Sequence, residues 1–119
     1  DHATTFGGQP LAARAALTVL EVMEAIDAPA LATRAGARLA GGLEALPGVT
    51  AVRGHGLLLA AELAAPLESA KVATACLHSG LVVNNVTPTA LRFEPPLLVS
   101  DGEIDAAIEI LARVLEQVA

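Results

Sequence analysis

The sequence predicts an α+β fold in which helices cover a small, mostly antiparallel sheet. Stretches with apolar residues at helical spacing occur at both ends of the chain. Between them lie short runs of valine, leucine and alanine bounded by glycine or proline, which is typical of strands. The chain has 119 residues, of which 54% are hydrophobic, so one hydrophobic core can form.

Helix and strand signals follow one another in the order αα-ββ-α-ββ-α. Prolines at positions 10 and 29 suit first helical turns, and Gly80 suits the end of a helix. The first helix has apolar residues on nearly all sides, which predicts that it is largely buried. The predicted bounds are helices 10–26, 29–46 and 67–79, strands 49–53, 57–63, 81–83 and 90–93, a loop at 84–88, and a last helix after Ser100.

A capping box marks the start of the last helix. Ser100-Asp101-Gly102-Glu103 fits the S-x-x-E pattern, in which the serine hydroxyl accepts a hydrogen bond from the glutamate N–H. The glutamate carboxylate in turn accepts one from the serine N–H. The apolar residues that follow recur on one side, which predicts a surface helix that covers the sheet.

Charge and composition exclude several classes of function. The net charge is −6 and Lys71 is the only lysine, which argues against nucleic acid as a partner. No stretch of about 18 uninterrupted apolar residues exists, so no membrane span is expected. A single cysteine, Cys76, cannot form an internal disulfide and favours a reducing, cytoplasmic location. His2 and His78 lack partners at metal-ligand spacing, so we expect no metal site.

The segment from Thr4 to Pro10 combines two hydroxyls and two glycines with the start of a helix. Hydroxyls and free N–H groups near a helix N-terminus suit an anion such as phosphate, because the helix dipole favours negative charge there. The alternative is an ordinary loop that precedes a helix.

Arg92 stands alone in the apolar stretch Leu91 to Phe93, where a buried guanidinium would need a partner. It could bind a ligand carboxylate or phosphate with two hydrogen bonds. The alternative is a structural ion pair, for instance with Glu94 or Glu62.

For three further residues, we expect no catalytic or ligand-binding role. Arg53 is expected to pair with a surface carboxylate, and His55 in its glycine-flanked turn is expected to have no role. Cys76, between apolar neighbours on a helix, is expected to pack in the core rather than act as a nucleophile.

Three segments in register resemble class-III pyridoxal-phosphate aminotransferases. H-A-T-T-F-G-G-Q-P-L (2–11) is similar to H-x-[ST]-T-[FY]-G-G-N-P-L of that family, with Gln9 in place of asparagine. V-R-G-H-G-L-L-L-A-A-E-L (52–63) resembles V-R-G-x-G-L-[ML]-x-G-x-E-L. G-L-V-V-N (80–84) and L-R-F-E-P-P-L (91–97) resemble G-[LV]-L-x-N and [LIV]-R-x-x-P-P-L. The likeness covers essentially the whole chain.

The resemblance implies the C-terminal small domain of a fold-type I transferase that uses pyridoxal 5'-phosphate. Residues 1–9 would be the cofactor-phosphate loop at the end of the large domain, 10–28 a connecting helix, and 29–119 the small domain. Thr5, assisted by Thr4, would bind the cofactor phosphate of the neighbouring subunit of a homodimer. Arg92 would bind the substrate α-carboxylate.

Within the family, the V-T-P-T-A-L-R-F segment is most similar to members that exchange an amino group between N-acetylornithine and 2-oxoglutarate in arginine biosynthesis. Members specific for ornithine or 4-aminobutyrate are the alternatives, as is a non-catalytic binding or oligomerisation module of the same shape. The lysine that carries the cofactor and the acid at its pyridine nitrogen lie upstream in the family, and Lys71 is a poor substitute. The resemblance therefore assigns no catalytic residue to these 119 residues, which we expect to be inactive alone.

Overall fold

The computed structural model describes residues 4–118 and confirms the α+β class. Within that range, four strands form one antiparallel sheet in the order β1-β2-β4-β3, so β4 lies between β2 and β3. The elements are α1 Pro10–Ala25, α2 Ala28–Glu44, β1 Val49–His55, β2 Leu58–Leu63, α3 Ser69–His78, β3 Asn84–Thr87, β4 Ala90–Phe93 and α4 Asp101–Val118.

One face of the sheet packs against α2, α3 and α4, and the other face is open. Side chains of a strand alternate between the two faces, so Leu59, Ala61 and Leu63 of β2 and Leu91 and Phe93 of β4 enter the core. The small Ala90 of β4 is buried as well. The helices complete the core with their apolar sides, and aliphatic residues build almost all of it because the chain has only two aromatic residues. The central core residues are Leu39, Leu43, Leu59, Ala61, Leu63, Val72, Cys76, Leu91, Phe93, Ile104, Leu111, Val114 and Leu115.

A glycine contact holds α2 close to the β1–β2 turn. Gly36 is buried in α2, and a Cβ atom at this position would lie only 2.1 Å from the carbonyl oxygen of Gly56. Gly56 itself has a φ of +54°, which favours glycine. Gly54, on the other side of His55, has a φ of +142°, which also favours glycine.

The predicted capping box is confirmed at the start of α4. The Ser100 N–H donates to the Glu103 carboxylate at 2.8 Å, and the Glu103 N–H donates to the Ser100 hydroxyl at 3.2 Å. The bond from the Ser100 N–H, followed by one that the Ser100 hydroxyl donates to the same carboxylate at 2.8 Å, lowers the pKa of Glu103. A bidentate ion pair from Arg38 to Asp105, at 2.6 and 2.9 Å, also joins α2 to α4.

The prediction that the first helix is largely buried is wrong for the described residues. α1 has no buried side chain, and Leu11, Val19 and Leu20 are each more than half exposed. The reason is that α1 extends beyond the sheet and packs mainly on α2, so its apolar residues have no opposing surface within residues 4–118.

The predicted strand at 81–83 and loop at 84–88 are also wrong, because the strand begins three residues later. Gly80 adopts a φ of +88°, and the Leu81 N–H donates to the Cys76 carbonyl at 2.9 Å, so Leu81 still caps α3. The strand then runs from Asn84 to Thr87 along β4. Its end is fixed by the buried Ser69, whose hydroxyl donates to the Thr87 carbonyl.

We expect Gly36→Ala to lower the free energy of unfolding by about 1–3 kcal/mol, because the added methyl group would overlap the Gly56 carbonyl. Gly41→Ala is the matched control in the same helix, where nothing lies within 4 Å of the added Cβ. It should stabilise the protein by about 0.5–1 kcal/mol, as alanine does in a helix interior. Urea denaturation of both variants measures the difference. An unchanged midpoint for Gly36→Ala would contradict the close contact.

Ser100→Ala should destabilise the protein by about 1 kcal/mol, because it removes the N-terminal cap of α4. Ser100→Thr, which keeps the hydroxyl, is the control. Since the pKa of Glu103 is lowered in the folded state, its stabilisation is present above the ordinary glutamate pKa and is lost as the pH falls through the lowered value. The difference between Ser100→Ala and the unaltered protein should therefore shrink in acid. Thermal unfolding at a series of pH values tests this, and a difference that grows in acid would refute it.

Candidate functional site

Arg92 lies on the open face of the sheet, between two strands that fix its position. It pairs with Ala60 of β2 and with Asn84 of β3, while its neighbours Leu91 and Phe93 enter the core. Its side chain is 44% exposed, so the guanidinium is available to a ligand. The assumption that Arg92 is a buried charge is therefore wrong. The alternation of β4 sends its apolar residues inward and the arginine outward.

Of the two structural partners considered for Arg92, only Glu94 is close, at 3.5 Å from Nε. Both side chains of this pair are exposed, and such pairs hold their partners weakly. Glu62 instead binds Arg53 Nη1 at 2.6 Å and accepts a hydrogen bond from the Thr89 hydroxyl. The hydrogen bond from Thr89, followed by that from Arg53, lowers the pKa of Glu62.

A cavity of about 520 Å³ adjoins the end of β4, and Arg92 is among the residues that line it. Its wall is mostly apolar, with a few polar groups from Asn84, Glu94 and Glu103. Small-molecule sites commonly combine an apolar wall with a few polar groups. The apolar wall consists of Leu39, Leu81, Val82, Val83, Phe93, Pro95, Pro96, Val99, Ile104 and Ala107.

The threonine loop lies at the other end of α1 from the core. Thr4 and Thr5 are exposed in turns, and the loop is closed by a Gly7 N–H bond to the Thr4 carbonyl at 3.4 Å. Gln9 is the N-cap of α1, but its side chain makes no capping hydrogen bond. The first N–H groups of α1 and the two threonine hydroxyls are all hydrogen-bond donors. Together they form a set that is suited to binding an anion.

The structure does not bring the two candidate sites together. The backbone hydrogen bonds of the loop stay within residues 4–13, whereas Arg92 lies in the sheet.

The structure also gives the surroundings of the remaining singled-out residues. Arg53 pairs with a carboxylate, that of Glu62, and His55 is exposed at the end of β1. Cys76 is fully buried, and burial raises the pKa of its thiol, which makes a thiolate nucleophile unfavourable. Lys71 binds Glu68 at 2.6 Å on the exposed side of α3.

Among residues 4–118, no group of three or more histidine, cysteine, aspartate or glutamate side chains could hold a metal ion. None of the helices in the described range has the length and hydropathy needed to cross a lipid bilayer. His2 lies outside that range.

Sequence reasoning missed the hydrogen-bonded group formed by Arg53, Glu62 and Thr89. The three residues come from β1, β2 and the turn before β4, so they meet only once the strands are paired in this register. The alternation of β2, which places Ala60 and Glu62 on one face, was the available signal.

Comparison with known proteins places these features in a family. The family model described as "Aminotransferase class-III" matches residues 1–115. Acetylornithine aminotransferase of Bifidobacterium longum is 45% identical, over 95% of this chain and 26% of that protein. Acetylornithine aminotransferase of Thermosynechococcus vestitus is 44% identical, over 100% of this chain and 31% of that protein.

Solved structures that superimpose on this chain are aminotransferases, as are its sequence relatives. The ornithine aminotransferase of Toxoplasma gondii superimposes with a TM-score of 0.83 at 28% identity, over 98% of this chain and 29% of that one. An amine transaminase from an uncultivated Pseudomonas species gives a TM-score of 0.84 at 29% identity, over 99% of this chain and 30% of that one. The fold predicted from the resemblance is therefore confirmed.

The chain spans about a quarter to a third of the length of the curated relatives it matches. Its match is nevertheless continuous through both candidate sites and all four strands. The chain belongs to the class-III aminotransferase family.

Proposed function

We propose that the full-length protein is a pyridoxal-phosphate-dependent aminotransferase that moves an amino group between N-acetylornithine and 2-oxoglutarate. The observation that carries this proposal is the match of essentially the whole chain to relatives named acetylornithine aminotransferase, at 44–45% identity in the two cited above. Such an enzyme acts in arginine biosynthesis, and we expect it in the cytoplasm.

The residues present fit the phosphate group of pyridoxal phosphate. Thr5 and Thr4 offer exposed hydroxyl donors, and the start of α1 lacks a side-chain cap, so its N–H groups remain free for an anion. When bound, the cofactor supplies an electron sink for the carbon atom that carries the amino group. In our proposal, the hydroxyls hold the phosphate and so fix the position of the cofactor.

In the same proposal, Arg92 binds the α-carboxylate of each substrate. A planar guanidinium can donate two parallel hydrogen bonds to one carboxylate, which fixes both the position and the plane of the substrate. 2-Oxoglutarate carries this carboxylate on the reacting carbon itself, whereas N-acetylornithine, whose α-amino group is acetylated, reacts at the δ-carbon three carbons away. Arg92 would therefore hold the two substrates at different distances from the reacting atom. The exposed position of Arg92 at the mouth of an apolar cavity supports this role.

We further propose that the loop at 1–9 reaches the cofactor of a second subunit in a homodimer. The division into a phosphate loop, a connecting helix at 10–28 and a small domain at 29–119 accords with the burial pattern. The core begins at Ala28, whereas α1 buries no side chain within residues 4–118. The apolar, uncovered α1 would then pack on the large domain. The lysine that binds the cofactor would belong to the remainder of the longer protein, because Lys71 is engaged with Glu68.

An ornithine aminotransferase is the second candidate function. It is favoured by the superposition on the Toxoplasma gondii enzyme, but the sequence identity is 28%, against 45% to the acetylornithine enzyme of Bifidobacterium longum. Activity of the full-length protein with N-acetylornithine and with ornithine, each with 2-oxoglutarate, separates the two. A protein that accepts neither amino donor would contradict both.

Arg92→Ala in the full-length protein should raise KM for both the amino donor and 2-oxoglutarate by roughly 10- to 100-fold. This is the effect of losing a hydrogen-bonded contact to a charged group, worth about 1.5–3 kcal/mol. Arg113→Ala, an exposed arginine on α4, is the control and should leave both values unchanged. Steady-state kinetics with each substrate varied provides the measurement. Normal KM values for both substrates would remove Arg92 from the site.

Thr5→Ala should weaken cofactor binding by about tenfold or more, because a hydrogen bond to a charged phosphate is lost. Thr5→Ser keeps the hydroxyl and should bind normally. Thr18→Ala is the matched control on α1, since the Thr18 hydroxyl only bonds the Arg14 carbonyl of its own helix. Titration of the cofactor-free protein, followed by absorbance, gives Kd. Equal affinity in Thr5→Ala and Thr18→Ala would exclude Thr5 as a phosphate ligand.

A further inference from the structure

Two arginines flank the same small residue on the open face of the sheet. Ala60 in β2 pairs with Arg53 of β1 on one side and with Arg92 of β4 on the other. Residues paired across antiparallel strands share a face, so both guanidiniums leave the sheet on the side away from the core. Glu62 lies two residues further along β2 on that same face.

Glu62 is thus a diagonal neighbour of both arginines. Its pairing partners are Ala51 in β1 and Ala90 in β4, each two residues from an arginine. Long side chains at such diagonal positions are within reach of one another. The carboxylate of Glu62 can therefore reach either Arg53 or Arg92.

The structure shows which arginine Glu62 binds. Oε2 accepts from Arg53 Nη1 at 2.6 Å, and Oε1 accepts from the hydroxyl of Thr89. Both carboxylate oxygens are thereby occupied, which accounts for the lowered pKa of Glu62. Arg92 keeps only the 3.5 Å contact with the exposed Glu94.

We propose that Arg53 and Thr89 are positioning residues, which hold Glu62 away from Arg92 and so leave its guanidinium free for the carboxylate of the substrate. The inference rests on the proposed function, in which Arg92 binds that carboxylate. Without these two partners, Glu62 would turn to Arg92 and act as a tethered competitor. A group held this close has an effective concentration in the millimolar range or above.

Stability alone does not explain the Arg53–Glu62 pair. The Arg53 side chain is 58% exposed and that of Glu62 is 30% exposed, and ion pairs in such surroundings contribute little to stability. The sheet is already held by the hydrogen bonds of β1 and β2 and by the core beneath them. The Arg53–Glu62 pair instead fixes the position of the negative charge of Glu62 relative to Arg92.

Kinetics of the full-length, cofactor-loaded enzyme tests the proposal. Arg53→Ala should raise KM for 2-oxoglutarate about three- to tenfold, toward the lower end of the couplings found between neighbouring side chains, with a smaller effect on kcat. Arg53→Lys should restore most of the affinity. Thr89→Val should raise KM in the same direction by a smaller factor, although it changes no charge. Glu62→Gln combined with either Arg53→Ala or Thr89→Val should return KM to its normal value.

Binding of glutarate, an unreactive dicarboxylate, provides a readout that does not depend on turnover. Its Kd, measured by titration calorimetry on the full-length protein, should follow the same order among the variants. The unfolding temperature of each variant controls for loss of structure, and Arg53→Lys and Thr89→Val remain informative if Arg53→Ala does not fold.

Two results would overturn the inference. If Arg53→Ala weakens binding but Thr89→Val does not, the effect is the loss of a positive charge rather than the release of Glu62. If Glu62→Gln fails to rescue either variant, Glu62 is not the competitor. The proposed function is tested separately by Arg92→Ala, because an unchanged KM in that variant would refute the role of Arg92 whatever Arg53 does.

Discussion

The antiparallel pairing of β4 with β2 is the interaction on which the candidate substrate site depends. It places Leu91 opposite Ala61, both fully buried, and Arg92 opposite Ala60 on the other face. A slip of one residue would exchange the faces, so that the guanidinium entered the core and Leu91 met solvent. The hydrophobic core therefore fixes the orientation of the charged side chain.

Charges on the open face are arranged in pairs although the chain as a whole carries a charge of −6. Glu62 balances Arg53, and Glu94 lies beside Arg92 at a longer distance. In the Arg53–Glu62 pair, the glutamate also accepts a hydrogen bond from the Thr89 hydroxyl. In the Arg92–Glu94 pair, both side chains are exposed at the end of β4. This difference leaves Arg92 as the less tightly paired of the two arginines.

The number and type of the elements could be predicted from the sequence because their signals are local. The ends of the helices were predicted to within a few residues from the positions of proline and glycine and from the Ser100–Glu103 pattern. The position of β3 could not be predicted, since it depends on pairing with β4 and on the bond from Ser69 to Thr87. The exposure of α1 was also missed, because apolar periodicity does not say which partner covers a helix. Arg92 and Thr5 became candidates through their motifs, whereas the bonding of Glu62 depends on the register of the paired strands.

The junction between α1 and α2 determines the position of the threonine loop at the far end of α1. Asp27 has a left-handed φ of +50° and forms the N-cap of α2, so the chain turns there between two helices. α1 has 16 residues and is therefore about 24 Å long, which makes it a lever with Thr5 near its far end. A rotation of about 10° at the junction would move that hydroxyl by about 4 Å, well beyond the length of a hydrogen bond. The phosphate binding that we propose for this loop consequently requires α1 to be held in place along its length, and its exposed leucines and valines are suited to such a contact.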